Sequence, residues 1–334
     1  MKPDATRGLD LLAPHPGLLL AVSGGPDSVA LMLLCARWPG RAAHRIDVAT
    51  VDHGLRPGSR DEAEQVGNWA RALGFTHHLL SWAGEKPATR IQERAREARY
   101  RLLADCARAI GASAIVTAHH ADDQAETILF RLTRGSGVAG LSGMSPASAL
   151  GPVALLRPLL ASRKSALVGL CEAAGHPYVA DPSNADDAYA RVRLRKLAPV
   201  LDGLGLDTEA LLRLGARAAQ ADAALRDCAS DLRRRALLES GPDHACFAAA
   251  ELRDAPLELT QRLVAGELAR LAPDAYVRLD RLERAVGRLA GALRDGERLR
   301  LTLGGLVFDS TPELLTVRPA PPRRTRQPEV DQGS

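Results

Sequence analysis

Residues 18–34, with the sequence LLLAVSGGPDSVALMLL, constrain the fold more than any other segment. The unbroken apolar run at 18–22 predicts a fully buried strand of a parallel sheet. The apolar run at 29–34 predicts a helix packed on that sheet. Between them lies the string Ser23-Gly24-Gly25-Pro26-Asp27-Ser28. Its two glycines allow a tight turn that exposes backbone N–H groups at the positive end of a helix, so the turn is a candidate phosphate site.

Asp27 is a carboxylate beside the expected anion, and a cation is needed between two negative groups, so we interpret it as a contact to Mg²⁺. A plain turn whose Ser or Asp caps the helix would use the same residue types. The full Ser-Gly-Gly-x-Asp-Ser string after a strand is rarer, and it resembles the PP-loop of the ATP pyrophosphatases. That resemblance implies that Ser23, Gly24, Gly25, Pro26, Asp27 and Ser28 bind ATP and its pyrophosphate.

The length and composition of the chain are typical of an ordinary globular protein of two domains. The chain has 334 residues, of which 46% are hydrophobic and 25% are charged. Only 3% are aromatic, which disfavours a stacking platform for single-stranded nucleic acid. The net charge is +4, and basic residues exceed acidic ones only in residues 1–200, which suits an anionic substrate.

Cysteine use and hydropathy predict the compartment. The five cysteines form no C-x-x-C pair and are interpreted as reduced thiols. No signal peptide and no apolar run long enough to span a membrane is present in the sequence. We therefore expect a soluble, cytoplasmic protein with no membrane partner.

Further strands are predicted at 45–52, 75–82, 114–118 and 153–156, with helices between them at 59–73 and 89–110. This alternation predicts an α/β fold with a doubly wound, mostly parallel sheet, whose ligands bind at the carboxyl ends of the strands. The strand at 45–52 ends in His53-Gly54-Leu55-Arg56, which places polar side chains at that edge. A simple loop with a hydrogen-bonded histidine would also account for them.

The helix at 89–110 is basic. Arg96 and Arg99 lie three residues apart and share one face. Glu93 and Glu97 stand at helical spacing from them, so a solvated face of ion pairs is one interpretation. The other places Arg99 at the phosphate of ATP or of the substrate.

The fourth strand leads into Thr117-Ala118-His119-His120-Ala121-Asp122-Asp123-Gln124-Ala125-Glu126-Thr127. Carboxylates in the first turn of a helix complement its dipole, so part of this motif is ordinary capping. The excess of His and Asp also suggests a metal site. Hard carboxylates favour Mg²⁺ over zinc, for which a third tight ligand is lacking.

Two later segments are polar or glycine-rich. Residues 135–140 match G-x-G-x-x-G, but a helix precedes them instead of a strand, so they are interpreted as a flexible loop near the cleft. The densest basic run of the first half is a candidate contact to a phosphate backbone. It comprises Arg191, Arg193, Arg195 and Lys196.

The composition changes near residues 199–205, where we place a domain boundary. Beyond it, helices are predicted at 207–239, 256–271 and 276–293, followed by strands at 298–303, 306–309 and 313–317. The expected domains are a catalytic domain at 1–200 and a smaller α+β domain at 206–318. Residues 319–334 are a proline-rich tail, expected to be disordered.

Six motifs occur in order between residues 18 and 199: SGGPDS, VDHGLR, ERAREARY, TAHHADDQAET, RGSGVAGLSGM and DPSN. Together they resemble the tRNA(Ile)-lysidine synthetase family. The resemblance implies an N-terminal PP-loop domain and a C-terminal domain that assists tRNA binding. It also implies a reaction in which ATP adenylates C2 of the wobble cytidine of tRNA(Ile) with a CAU anticodon. Free L-lysine then displaces AMP, which gives lysidine.

By position in these motifs, the resemblance ties Asp27, Arg99, His119 and Asp123 to catalysis. It makes Asp27 an Mg²⁺-linked acid, whereas Asp123 is either a second Mg²⁺ ligand or the acceptor of a proton from lysine. Val192 stands where the family usually has Asn between two arginines. We also consider a second copy of the chain as a partner, in a homodimer.

Two other classes of function are alternatives to a lysidine synthetase. Another PP-loop enzyme, such as a tRNA thiolase or an amide-forming synthetase, would share the loop. Thiolases commonly use paired cysteines, and an amide-forming synthetase usually has a glutamine-hydrolysing or dimerisation module; neither feature occurs in the sequence. A non-catalytic module that binds ATP and tRNA would keep the loop but release no pyrophosphate.

Overall fold

A six-stranded sheet organises the first part of the chain in the computed structural model of this protein. The structure describes residues 6–55, 58–84, 91–179 and 190–321, without the side chains of 7, 92, 190–193, 195 and 196. The strands are β1 (Gly17–Ala21), β2 (Arg45–Asp52), β3 (Thr76–Ser81), β4 (Ala114–Val116), β5 (Ala147–Leu150) and β6 (Val153–Leu156). Their order is β3-β2-β1-β4-β6-β5, and only β5 runs antiparallel to its neighbour. The predicted mostly parallel sheet is confirmed.

Helices cover both faces of this sheet. They are α1 (Pro26–Ala36), α2 (Ser59–Ala72), α3 (Ile91–Ala109), α4 (Ala121–Leu132), α5 (Val138–Leu141) and α6 (Lys164–Ala173), with 3-10 turns at Arg7–Leu12 and Pro39–Ala43. Leu18 and Leu20 of β1 belong to a core that includes residues of α1, α2 and α6. Leu19, between them, belongs to a second core with Leu103 of α3. Because successive strand residues point to opposite faces, burial on both faces requires the continuous apolar run seen in the sequence.

The chain divides into two compact units, residues 1–219 and 220–334. Two further helices follow α6, α7 (Ala190–Gly203) and α8 (Thr208–Ala236), so the division falls inside α8. We expected the boundary at 200–206, which is earlier. The first unit extends further because α7 packs against α4, and because Leu211 is buried with Ala125 and Ile128 of α4.

The second unit is built on an antiparallel sheet with strand order β7-β8-β11-β10-β9. Its strands are β7 (Leu237–Ser240), β8 (Ala245–Ala248), β9 (Leu299–Leu303), β10 (Leu306–Ser310) and β11 (Leu314–Pro319). Its remaining helices are α9 (Ala249–Arg253), α10 (Leu257–Leu271) and α11 (Leu279–Asp295). Residues of the helices and the sheet form one apolar core. This confirms the smaller α+β part that was predicted.

The core of the second unit also contains a charge. The side chain of Glu267 on α10 is 1% exposed. Arg233 of α8 contacts it at 2.7 Å, and Arg270 contacts it at 2.7 Å from the next turn of α10. A buried carboxylate is tolerated only when it is paired and hydrogen-bonded, and these two arginines meet that condition.

Within the described ranges, none of the helices is both long and apolar enough to cross a bilayer. The candidate disordered tail, residues 319–334, falls mostly outside the description, which ends at residue 321.

Candidate active site

The turn between β1 and α1 has a backbone that only glycine adopts readily at one position. Gly24 has φ +92°, in the left-handed region. A Cβ atom there would lie 3.0 Å from Cγ2 of Val66 and 3.1 Å from Cγ2 of Val179. The N–H of Val179 also donates to the carbonyl of Gly24 at 2.9 Å. The SGGPDS loop (residues 23–28) is therefore held in shape by residues on α2 and after α6.

Ser28 organises the loop from inside. Its hydroxyl accepts the N–H of Ser23 at 3.2 Å and donates to the carbonyl of Gly25 at 2.9 Å. Pro26 is the first residue of α1, where a missing N–H costs nothing, and no side chain caps this helix. The N–H groups that begin α1 are thus available to an anion, as the sequence predicts for a phosphate site.

Asp27, in the first turn of α1, faces the start of α4. Its Oδ2 atom lies 3.5 Å from Nε2 of His120, and the same Nε2 lies 3.5 Å from Oδ2 of Asp123. The two carboxylates therefore approach one imidazole from two elements. The Oδ1 atom of Asp27 is buried and has no hydrogen-bond partner.

His120 also caps α4. Its Nδ1 atom accepts the N–H of Asp123 at 3.3 Å, and Asp123 accepts the N–H of His120 at 3.1 Å, which forms a capping box. Burial alone would lower the pKa of His120. Its contact with Asp27 and the charges of Asp123 and Asp122 outweigh burial and raise that pKa above the ordinary value.

The next carboxylate, Asp122, lies 3.7 Å from Nδ1 of His120, but its closer contacts are with the start of α6. It accepts the N–H of Lys164 at 2.8 Å and contacts Arg163 at 3.1 Å. These contacts fix the start of α4 to the start of α6. Of the two acids in the first turn of α4, Asp122 is therefore the one that connects α4 to α6.

His119 directly precedes His120 in the motif and is neutral at pH 7. Its Nδ1 atom is 2.9 Å from the hydroxyl of Thr117. Burial, together with the positive charges of Arg99, Arg96 and Arg157, lowers the pKa of His119 to about 3. Burial also lowers the pKa of Arg99, and the charge of Arg96 adds to that effect.

One cleft of about 810 Å³ brings most of these groups together. It lies at the carboxyl ends of β1, β2 and β4, where doubly wound sheets bind ligands. The predicted site residues that line it are Ser23, Gly25, Asp27, Ser28, Arg99, His119 and Asp123. Gly24 and Pro26 shape the loop without lining the cleft. The side chains of Arg191, Arg193, Arg195 and Lys196, on α7, lie outside the described residues, and so does the DPSN motif.

The β2 side of the cleft carries a second polar group. Asp52, at the end of β2, accepts the N–H of Gly54 at 2.9 Å and the hydroxyl of Ser59 at 2.7 Å. Burial opposes the charged form, but these hydrogen bonds outweigh it and lower the pKa of Asp52. Gly58 occupies the cap position of α2, and Ser59, the first residue of that helix, uses its hydroxyl to bind Asp52.

The carboxylates of the cleft are the candidate ligands of Mg²⁺. Among the described residues, no cluster of three or more His, Cys, Asp or Glu side chains could hold a metal ion by itself. Mg²⁺ in nucleotide sites is usually held by one or two carboxylates, with phosphates and water as its other ligands. Asp27 and Asp123 fit that description, and the unpartnered Oδ1 of Asp27 is a ready oxygen donor.

The fold and the loop define a class of protein, and sequence comparison agrees. Residues 3–201 match the family described as the PP-loop domain. In structure, the chain is similar to the U34-tRNA thiolase NcsA from Methanococcus maripaludis, with a TM-score of 0.54 and 15% identity over 64% of this chain and 77% of that one. Identity that low supports a common fold and does not favour thiolase activity. The first unit is a PP-loop, ATP-binding domain.

Relatives whose sequences match both units identify the family within the class of PP-loop proteins. The chain is 48% identical over 312 residues to the tRNA(Ile)-lysidine synthase of Methylobacterium sp. (strain 4-46), which covers 92% of this chain and 90% of the relative. It is 47% identical to that of Methylobacterium nodulans, over 92% of this chain and 91% of the relative. The chain belongs to the tRNA(Ile)-lysidine synthase family, whose members are ATP-dependent ligases.

Sequence reasoning did not select His120 as a site residue. The doubled histidine at the end of a predicted strand was the available signal. Which ring faces the carboxylates depends on how the backbone turns between β4 and α4, and the sequence pattern does not specify that turn.

Proposed function

We propose that this protein ligates free L-lysine to C2 of the wobble cytidine of tRNA(Ile) with a CAU anticodon, in the cytoplasm. ATP is consumed, and the products are lysidine, AMP and pyrophosphate. The observation that supports this most strongly is the meeting of Asp27, Arg99, His119 and Asp123 in one cleft beside the SGGPDS loop. The family membership of the whole chain supports the same proposal.

In the first step, the C2 oxygen of the cytidine bonds to the α-phosphorus of ATP, and pyrophosphate leaves. The SGGPDS loop and the start of α1 bind the departing phosphates through backbone N–H groups. Ser28 exchanges part of its internal hydrogen bonding for a phosphate oxygen. Arg99 stabilises the negative charge that develops on the phosphate, and burial strengthens that interaction.

Asp27 and Asp123 would hold Mg²⁺, with His120 aligning their carboxylates. When bound, this ion would screen the charge of the phosphates and polarise a phosphoryl oxygen. Removal of divalent ions with EDTA should therefore stop pyrophosphate release, and added Mg²⁺ should restore it.

In the second step, the ε-nitrogen of lysine bonds to C2, the bond from C2 to the AMP oxygen breaks, and the amine loses a proton. Asp123 is the candidate to accept that proton, as the alternative to its role as a second Mg²⁺ ligand. His119 is neutral, so it can donate or accept one hydrogen bond to orient the cytidine or ATP without adding charge.

The tRNA itself is proposed to contact the basic run Arg191, Arg193, Arg195 and Lys196 on α7, with the second unit assisting. The net charge of +4 is modest, so affinity should depend on a few placed arginines. A homodimer is a further proposal, which light scattering of the purified protein tests directly.

The decisive experiment measures pyrophosphate release from ATP with unmodified tRNA(Ile), with and without lysine, followed by nucleoside analysis of the tRNA. Lysidine at the wobble position is the expected result. Pyrophosphate release without lysidine would retain the ATP chemistry and reject lysine as the nucleophile. Binding of ATP and tRNA without any release would support the non-catalytic module instead.

Asp27→Ala provides the matched test of the loop. We expect it to reduce pyrophosphate release at least about a hundredfold, because it removes a carboxylate that would hold Mg²⁺ at the reacting phosphates. The control is Asp61→Ala, an exposed carboxylate in the first turn of α2. Normal turnover by Asp27→Ala would contradict the role assigned to the loop.

A further inference from the structure

Three guanidinium groups converge beside the cleft, and we refer to Arg96, Arg99 and Arg157 as the arginine cluster. The Cζ atom of Arg96 lies 4.9 Å from the ring centre of Tyr100, and that of Arg99 lies 5.2 Å from it. Two guanidinium groups therefore lie near the ring of Tyr100 on α3, each at the distance of a cation–π contact.

Arg157 reaches the same place from the sheet. It follows β6 directly, where Val116 of β4 pairs with Leu156, and the N–H of Thr117 donates to the carbonyl of Leu156 at 2.9 Å. Arg157 is thus level with the residues that lead to His119. Its Nη1 atom donates to the carbonyl of Ser145 at 2.7 Å and to the hydroxyl of Ser148 at 3.1 Å. Its Nε atom is buried and has no hydrogen-bond partner.

Within the part of the chain that the structure describes, no carboxylate is within ion-pair distance of the cluster, although the charge of Asp123 acts on Arg99. Arg94 pairs with Glu97 on the same helix at 3.2 Å, and Arg163 pairs with Asp122 at 3.1 Å, but none of the three cluster arginines forms an ion pair. Burial is the main cause that lowers the pKa values of His119 and Arg157. The charges of all three arginines add to that effect at His119, and the charge of Arg96 adds to it at Arg157. Arg99 and Arg157 are partly buried. Like charges in such positions are costly without an ion-pair partner, and an anion would reduce that cost.

The positions of Arg96 and Arg157 separate these two residues from the ATP phosphates. The SGGPDS loop follows β1, and the other polar edge of the cleft follows β2. Arg157 follows β6, which lies beyond β4 in the sheet order. Of the three arginines only Arg99 lines the cleft, while Arg96 is exposed at its border. The anion that meets Arg96 and Arg157 should therefore reach the cleft from outside.

We propose that Arg96 and Arg157, next to Arg99, bind a backbone phosphate of the RNA, adjacent to the nucleotide that is modified. This inference rests on the proposed function and deepens it. A nucleotide that places its base at the α-phosphate of ATP brings its own flanking phosphates to the border of the cleft. Guanidinium groups bind phosphate through paired N–H donors, which is the contact that positions an RNA without reading its sequence.

The test compares Arg96→Gln and Arg157→Gln with Arg101→Gln, which removes the same charge from an exposed position on α3. Dissociation constants for tRNA(Ile) are measured without ATP at several salt concentrations, and those for ATP without tRNA. We expect each cluster variant to bind tRNA about tenfold more weakly, with a salt slope smaller by roughly 0.7 to 1 unit. ATP affinity should stay at the wild-type value, and Arg101→Gln should bind tRNA like the wild type.

Loss of ATP affinity with unchanged tRNA affinity would assign the cluster to an ATP phosphate and overturn the proposal. Binding of tRNA by Arg96→Gln equal to that by Arg101→Gln would overturn it as well. Arg96 is exposed, so its variant tests the site even if Arg157→Gln disturbs the β5–β6 hairpin. Because binding is measured without turnover, failure of the wild type to form lysidine would reject the proposed function while leaving this measurement valid.

Discussion

His120 is one side chain that serves two elements, the start of α1 through Asp27 and the start of α4 through Asp123. Its Nδ1 atom accepts an N–H, so in the neutral ring the proton lies on Nε2, which faces both carboxylates. The usual N-cap residues are Ser, Thr, Asp and Asn, and they are too short to reach a second element in this way. Capping and alignment of the carboxylates should therefore be separable by substitution.

His120→Asn keeps a good helix cap and loses the contact with Asp27, whereas His120→Ala loses both. We expect the Ala variant to have a free energy of unfolding about 1 kcal/mol lower than the Asn variant. Both should release pyrophosphate about tenfold more slowly or worse, since a hydrogen bond to a charged group contributes roughly 1.5–3 kcal/mol. Urea denaturation and a release assay measure the two effects. Wild-type release by His120→Asn would leave His120 with a capping role alone.

The sequence could predict that Asp27, His119 and Asp123 lie together, because polar residues after parallel strands share one edge of a sheet. Their catalytic roles stay predictions. It could not predict the partner of Ser59, which binds Asp52 instead of capping its helix. Both arrangements satisfy the hydroxyl, and the choice depends on the path of the loop after β2.

At the scale of elements, α4 fixes the glycine-rich segment at residues 134–144. Gln124 donates to the carbonyl of Met144 at 2.9 Å and accepts its N–H at 2.7 Å. Arg131, two turns later, donates to the carbonyls of Gly140 and Gly143 at 2.8 and 2.7 Å. The segment expected to be a loop therefore contains the short helix α5 and is tied to the helix whose first turn carries Asp123.

Gln124→Leu should release this segment from α4. It leaves the N–H and carbonyl of Met144 without their partners, so we expect a loss of about 1–3 kcal/mol in the free energy of unfolding. Amide hydrogen exchange in residues 134–144 should accelerate with it. Gln65→Leu, on the exposed face of α2, controls for the change of residue type. Unchanged exchange in the segment would show that Gln124 does not hold it.

Element prediction succeeded where hydrophobic periodicity was strong and failed at short hairpins. The long helical pattern at 207–239 concealed β7, because Leu237 and Leu238 continue the helical spacing of α8 and only hydrogen bonding to β8 ends the helix. Strand β5 was missed because it is four residues long and half exposed. Such strands depend on their partners, which local sequence does not identify.

At the scale of the molecule, each unit has its own core, and the second includes the buried Glu267 with its two arginines. The change in composition predicts a domain boundary near residue 200. The contact of Leu211 with α4 moves it to the middle of α8, and a tertiary contact of that kind is not visible in composition.

Glu267→Leu should destabilise the second unit strongly. It leaves Arg233 and Arg270 partly buried without their shared carboxylate, and breaking a buried ion pair costs about 3–5 kcal/mol. ATP binding by the first unit should persist. Urea denaturation followed by circular dichroism, together with an ATP titration, measures both, and Glu283→Leu on the exposed face of α11 is the matched control. A variant as stable as the control would mean that the arginines find other partners.

The central position of β1 has a consequence for synthesis on the ribosome. This strand is synthesised before its neighbour β4, and Ser113 donates to Gly17 across a separation of 96 residues. The loop after β1 is also held by Val179. The nucleotide loop of the nascent chain therefore lacks these contacts until Val179 has been synthesised. Until then the apolar strand is exposed to wrong partners, which makes this the interval in which a chaperone would matter most.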